Sequence, residues 1–319
     1  MIHYLIADHP EPSWGTGMLY EHVRLLRELG HDASVLHHRA PYRPAWRELE
    51  VPVRYLEDLD EPGAAPSPAD VVVVPEVLAA SEAVRRHAWR RVIFVQGSFL
   101  IVGGLHGFPD YPALGYEAAM AVLPHVAHVV ERHFGLPAEV VPPYVAPYFF
   151  AAEPRPRERR VLFVKKEGYR LAGVPDGEIA EVLLRKEIGR RPGWSLVPLV
   201  GRTHREVAEL MQTSLFLVNV NSHEAFNTTV PEAMAAGCVP VCYEAGGGRD
   251  FLRDAENAVV FPNQQVYALV ERVCDLMDRL GEHGPLLERL RAGGRETAAS
   301  FRPESTAAAL DRFFSRFKP

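Results

Sequence analysis

Two glutamates, Glu224 and Glu232, flank the start of a helix in the run Asn221-Ser222-His223-Glu224-Ala225-Phe226-Asn227-Thr228-Thr229-Val230-Pro231-Glu232-Ala233-Met234. The pattern reads as a strand over 215–220, a polar loop carrying Glu224, a helix over 230–236 closed by Gly237, and a strand over 239–243. A helix start offers unpaired N–H groups and positive potential, which suit a diphosphate or sugar hydroxyls. A carboxylate in such a loop can accept hydrogen bonds from sugar hydroxyls, and a second one in the first turn can grip a ribose diol. Taken alone, the pair reads more readily as two ordinary carboxylates, one of them favoured by its place at a helix start.

Lysine is scarce, standing only at 165, 166, 186 and 318. Lys165 and Lys166 directly follow an apolar run at 161–164, with Arg170 close behind. A cation at that strand end can neutralise a diphosphate as it leaves. A solvated turn is the alternative, and the sequence does not say which of the three residues would act. Near the N-terminus, Ser13-Trp14-Gly15-Thr16-Gly17 precedes a helical stripe beginning at Met18. Glycines there let backbone amides approach a phosphate or an acceptor, so Gly15, Thr16 and Gly17 form a candidate loop. A dinucleotide site fits badly: the third glycine is missing, and the second strand ends in His37-His38 instead of an acidic ribose ligand.

The residues around the two glutamates sharpen the reading. Glu-x-Phe followed by Pro231-Glu232-Ala233-Met234-Ala235-Ala236-Gly237-Cys238-Val239-Pro240-Val241 resembles the signature of the retaining group 1 glycosyltransferases, and Gly246-Gly247-Gly248-Arg249-Asp250 resembles the next donor-side loop of that family. The resemblance is specific over about 205–262. It implies a GT-B fold, an α/β architecture of two Rossmann-like domains with parallel sheets facing across a cleft. It implies a nucleotide-sugar donor as co-substrate, no metal or other cofactor, and transfer with retention of configuration. Glu224 would contact the donor sugar and Glu232 the nucleotide ribose. The loop amides of Ala225, Phe226, Asn227 and Thr228 would bind the sugar, and the lysine pair would face the diphosphate. The family usually has glycine where Ala225 and Asn227 stand, which leaves the donor sugar open and lets Asn227 itself read a hydroxyl.

The elements that must hold these residues alternate between β and α patterns, as parallel sheets require. Strands are expected at 4–7, 33–36, 71–74, 92–95, 126–130 and 140–141 in a first domain over 1–150, which would bind the acceptor. A Pro-rich, charged linker at 152–160 precedes a donor domain over 157–300. A last helix over 303–317 carries Leu310, Phe313, Phe314 and Phe317 on one face and is expected to pack on the first domain. The resemblance also implies a first-domain side chain near the donor sugar, for which Gln96 and His106 are candidates.

Composition narrows the partners. A net charge of −6 and a pI near 6.2 give no field for nucleic acid. The three cysteines form no paired framework and no zinc spacing; Asp58-Leu59-Asp60 reads as a surface turn. No apolar run approaches the ~20 residues of a membrane helix, and the N-terminus turns polar too soon for a signal peptide. The expectation is a cytoplasmic transferase acting on a glycan, lipid-linked or small-molecule hydroxyl, with peripheral contact at the inner membrane face left open. Nothing speaks to oligomeric state. Two rivals stand beside it: a sugar-nucleotide epimerase of the same fold, and a catalytically silent sugar-nucleotide-binding subunit.

Overall fold

The computed structural model describes residues 1–9, 13–44, 51–61, 64–150, 155–164 and 175–317. The chain forms two compact units, residues 1–143 with 304–319 and residues 144–303.

Unit 1 is built from β1 (Ile2–Leu5), α1 (Trp14–Glu28), β2 (Ala33–His37), β3 (Val53–Tyr55), β4 (Val71–Pro75), α2 (Glu82–Arg85), β5 (Arg90–Val95), α3 (Ile101–Leu105), β6 (Ala118–Ala121), α4 (Pro124–Phe134) and β7 (Ala138–Val140). Its seven strands are parallel in the order β3-β2-β1-β4-β5-β6-β7. The strand order reverses between β1 and β4. Continuous apolar, largely β-branched runs at 71–74 and 92–95 form central strands because both faces of a parallel sheet are covered.

Two expectations change here. Val126–Val130 is not a strand but the middle of α4: Pro124 sits in the first helical turn, Val126, Ala127 and Val130 share one buried face, and left-handed Gly135 ends the helix. The strand of that region is Ala118–Ala121, whose small residues carry little β propensity. The first helix also begins at Trp14, four residues before the apolar stripe, because Ser13 caps it through its hydroxyl and its carbonyl.

Unit 2 contains β8 (Glu158–Phe163), α5 (Asp176–Gly189), β9 (Ser195–Pro198), α6 (His204–Thr213), β10 (Ser214–Asn219), α7 (Thr229–Ala236), β11 (Val239–Tyr243), β12 (Val259–Phe261), α8 (Val266–Asp278) and α9 (Gly284–Ala299). Its five parallel strands run in the order β12-β11-β10-β8-β9, reversing between β8 and β10. The core joins Phe163, Phe216, Val218, Val241 and Tyr243 of the sheet to Leu184 of α5 and Leu269 and Val273 of α8. The final helix, α10 (Pro303–Phe314), belongs to unit 1.

Candidate nucleotide-sugar site

Open parallel sheets bind ligands beyond the carboxyl ends of their strands, where the strand order reverses. In unit 2 that point lies between β8 and β10. The loop carrying Glu224 leaves β10. Lys165, Lys166 and Arg170 follow β8 in sequence and lie outside the described residues.

Glu224 is half-buried, and its Oε1 accepts from Asn221 Nδ2 at 2.6 Å. Its backbone is tied to the next loop in both directions: Glu224 N–H donates to Ala245 O and Gly247 N–H donates to Glu224 O, each at 3.0 Å. The approach is so close that a Cβ on Gly247 would stand 1.6 Å from Ala225 O. Glycine at 247 is therefore a packing requirement, and the segments 224–225 and 245–247 form one interlocked rim.

Between the two glutamates the side chains face inward. Ala225 and Phe226 are buried, the latter against Phe251 and Phe301 at ring separations of 5.7 and 5.1 Å. Asn227 is buried too, and its Oδ1 accepts from Asn219 Nδ2 at 3.0 Å, so that oxygen is already engaged. Thr228 is half-buried; its N–H donates to Phe226 O and its carbonyl accepts the Glu232 N–H, both at 3.1 Å.

Helix α7 is short and buried along its whole length from Val230 to Ala236. Pro231 lies in the first turn, where its missing N–H is harmless, and Gly237 in left-handed conformation closes the other end. Arg157 caps that end by donating to Ala236 O at 2.7 Å. Glu232 stands in the first turn with only 5% exposure. Its Oε1 receives a 2.7 Å hydrogen bond from Nε2 of His204, the first residue of α6. Nδ1 of His204 lies 2.6 Å from the Tyr148 hydroxyl. His204 and Tyr148 were not identified from sequence. The sequence marks only the helix start, through Thr203-His204-Arg205-Glu206, a capping box whose reciprocal bonds both form; that this start lies beside α7 is seen in the fold alone.

In unit 1, Gly15, Thr16 and Gly17 lie inside the first turn of α1. The amides of Thr16 and Gly17 already bond Ser13, and a Cβ on Gly15 would meet the Gln96 side chain at 2.6 Å. Gln96, just beyond β5, is half-buried, whereas His106 is an exposed left-handed residue after α3. His37 is fully buried, with Nδ1 at 3.0 Å from Asp8 Oδ1 and Nε2 at 2.8 Å from the Tyr20 hydroxyl. Burial lowers its pKa, partly offset by Asp8. Asp8 also accepts from the amides of His38 and Arg39, so it anchors the chain leaving β2. Asp58 and Asp60 lie in a 3-10 turn, and Asp60 pairs with Arg86 at 2.6 Å. Among the described residues, no three His, Cys, Asp or Glu side chains converge as metal ligands, and no helix is long and apolar enough to cross a membrane.

Comparison with known proteins agrees with this anatomy. Residues 184–297 match the family model of the group 1 glycosyl transferases. No curated protein matches the chain. Among solved structures, a glycosyltransferase from Rickettsia africae ESF-5 superposes with a TM-score of 0.70 at 12% identity, over 99% of this chain and 98% of that one. A sucrose-phosphate synthase from Thermosynechococcus elongatus gives 0.70 at 12%, with the same coverage. Anabaena Alr3699/HepE in complex with UDP-glucose gives 0.70 at 11%, over 99% of both chains. At such identities the likeness establishes the GT-B fold.

Proposed function

From a chain that carries a group 1 glycosyltransferase domain within a GT-B fold, we propose an enzyme that moves a sugar from a nucleotide-diphosphate donor to a hydroxyl acceptor. Unit 2 holds the donor: Glu232 accepts from the ribose hydroxyls, Glu224 and the loop amides of 225–228 orient the sugar, and Lys165 or Lys166, with Arg170, neutralises the diphosphate. Unit 1 receives the glycan, lipid-linked or small-molecule acceptor. No metal takes part. The bond from the anomeric carbon to the β-phosphate oxygen breaks and the acceptor oxygen bonds on the same face, retaining configuration. The acceptor proton passes to the departing phosphate.

The observation that carries this reading is Glu232, a carboxylate 5% exposed in the first turn of a buried helix and next along the chain from a rim built around Glu224. Burying a carboxylate is costly unless hydrogen bonds compensate it, and a ligand diol supplies two. The Anabaena structure, in complex with UDP-glucose, supports a nucleotide-sugar donor. Calorimetry against UDP-, GDP- and ADP-sugars will find the donor. With that donor, Glu232→Ala and Lys166→Ala each weaken binding or turnover by roughly tenfold or more, the scale of a lost hydrogen bond to a charged group. Wild-type behaviour of both variants would overturn the assignment. Epimerisation of the donor without any acceptor would replace transfer by isomerisation.

A further inference from the structure

Glu232 has a built support. A carboxylate only accepts, so the proton in the 2.7 Å bond from His204 to Oε1 sits on Nε2. In the neutral ring Nδ1 is then a lone pair, and the Tyr148 hydroxyl 2.6 Å away donates to it. One tautomer satisfies the whole chain, Tyr148 to His204 to Glu232, without a positive charge. The imidazole is also fixed by packing: it meets the Tyr148 ring edge-on at 5.5 Å and 88°, and the Phe149 ring at 4.8 Å and 61°. Its backbone is fixed by the Thr203–Glu206 capping box. Tyr148 is held in turn, with its carbonyl accepting from buried Gln212 at 2.8 Å and the Arg205 guanidinium 4.7 Å over its ring.

This arrangement does something a lone glutamate cannot. Two adjacent ribose hydroxyls need both carboxylate oxygens in one plane, and a free side chain rotates about its last torsion. A bond from Nε2 to Oε1 selects that plane, while a second lone pair on Oε1 and all of Oε2 stay available to the ligand. We propose that His204, oriented by Tyr148, is a positioning residue that presets the Glu232 carboxylate for the ribose diol of the nucleotide. The inference rests on Glu232 being the ribose ligand and extends it to a residue pair outside the donor motif. His204 is 49% exposed on its side chain against 7% for Glu232, so the support reaches solvent while the group it aims stays enclosed.

The test compares binding of whichever of UDP, GDP or ADP the chain prefers with binding of its 2′,3′-dideoxy counterpart, by calorimetry. His204→Ala weakens the ribonucleotide by about tenfold and leaves the dideoxy nucleotide unchanged. Tyr148→Phe, which keeps the ring, gives a smaller loss with the same selectivity. His204→Gln, whose amide N–H can stand in for Nε2, recovers most of the affinity. In a Glu232→Ala background, His204→Ala adds nothing further, because the two residues act as one. Equal losses on both nucleotides, or a His204→Ala variant that binds like wild type while Glu232→Ala does not, would overturn the positioning role and leave the donor assignment standing. If Glu232→Ala itself fails to distinguish the two nucleotides, the ribose assignment is what fails.

Discussion

Glu76 stands just past β4 in unit 1, buried to 2% exposure, with Oε1 accepting the Gly97 amide at 2.7 Å. Burial raises its pKa from 4.5 to about 7, although the amides of Gln96, Gly97 and Glu76 itself pull the other way. Below pH 4.5 the folded and unfolded chains both hold this proton. As the pH rises toward 7 the unfolded chain releases it first, so stability present in acid is lost through the folded pKa. The interval corresponds to roughly 3 kcal/mol. His22 works in the opposite sense: burial lowers its pKa to about 3, so its contribution is present above pH 6.5 and is lost as the pH falls. The wild-type curve therefore mixes both groups, and a difference against Glu76→Gln isolates one. Glutamine keeps an acceptor for Gly97 but has no proton to lose. The stability of Glu76→Gln relative to wild type should climb by about 3 kcal/mol between pH 4.5 and 8 and level off beyond, as read from urea midpoints.

Loops 222–228 and 244–248 owe their shape to a glycine, and this is testable without any ligand. Alanine at 247 places its Cβ 1.6 Å from Ala225 O, so the two Glu224 backbone bonds must part. Gly247→Ala should destabilise the chain by about 1–3 kcal/mol and reduce donor affinity. Gly189→Ala, at the end of α5 with nothing within 4 Å of the added carbon, should be neutral or stabilise by up to about 1 kcal/mol. The same contrast explains what could be read in advance. Strands β4, β5, β10 and β11 are short β-branched or apolar runs between polar turns, a signal strong enough to stand alone. Val126–Val130 carries three valines, yet Pro124 and Gly135 make it a helix, and apolar content cannot separate the two without those flanks. Strands β3 and β12 have three residues each, mostly half-buried, too short for a period. Glu224 and Glu232 were legible because a nine-residue motif frames them. His204 was not, since its meaning comes from the partner α7 supplies, and no spacing along the chain encodes that contact.

Sequence pattern alone was enough for the alternation of strands and helices and hence for two parallel sheets, because a buried sheet imposes that alternation throughout. Unit 1 is discontinuous in sequence. The chain leaves it after Pro143, builds all of unit 2, and returns at Glu304. The return is secured by α10, whose Thr306, Ala309, Leu310, Phe313 and Phe314 recur at helical spacing on one buried face. Phe314 lies 6.4 Å from the Tyr4 ring of β1 and 6.5 Å from His31, while Asp311 meets His31 Nε2 at 2.9 Å. The Thr306 hydroxyl donates to Pro142 O at 2.8 Å, and Arg90 stacks on Phe317 at 4.4 Å. These contacts reach β1, β5, the segment after β7 and the loop between α1 and β2, so the C-terminal segment packs across several elements of unit 1. Truncating Phe314 to alanine removes a ring that is 1% exposed and should cost about 3–5 kcal/mol. The loss is expected in unit 1, where Phe314 packs against Tyr4 and His31. Amide hydrogen exchange resolves it: Phe314→Ala should lower protection in β1, β2 and α1 while β10 and β11 exchange as in wild type. Equal loss in both sheets would show that the two units unfold as one cooperative body, with α10 stabilising the whole chain.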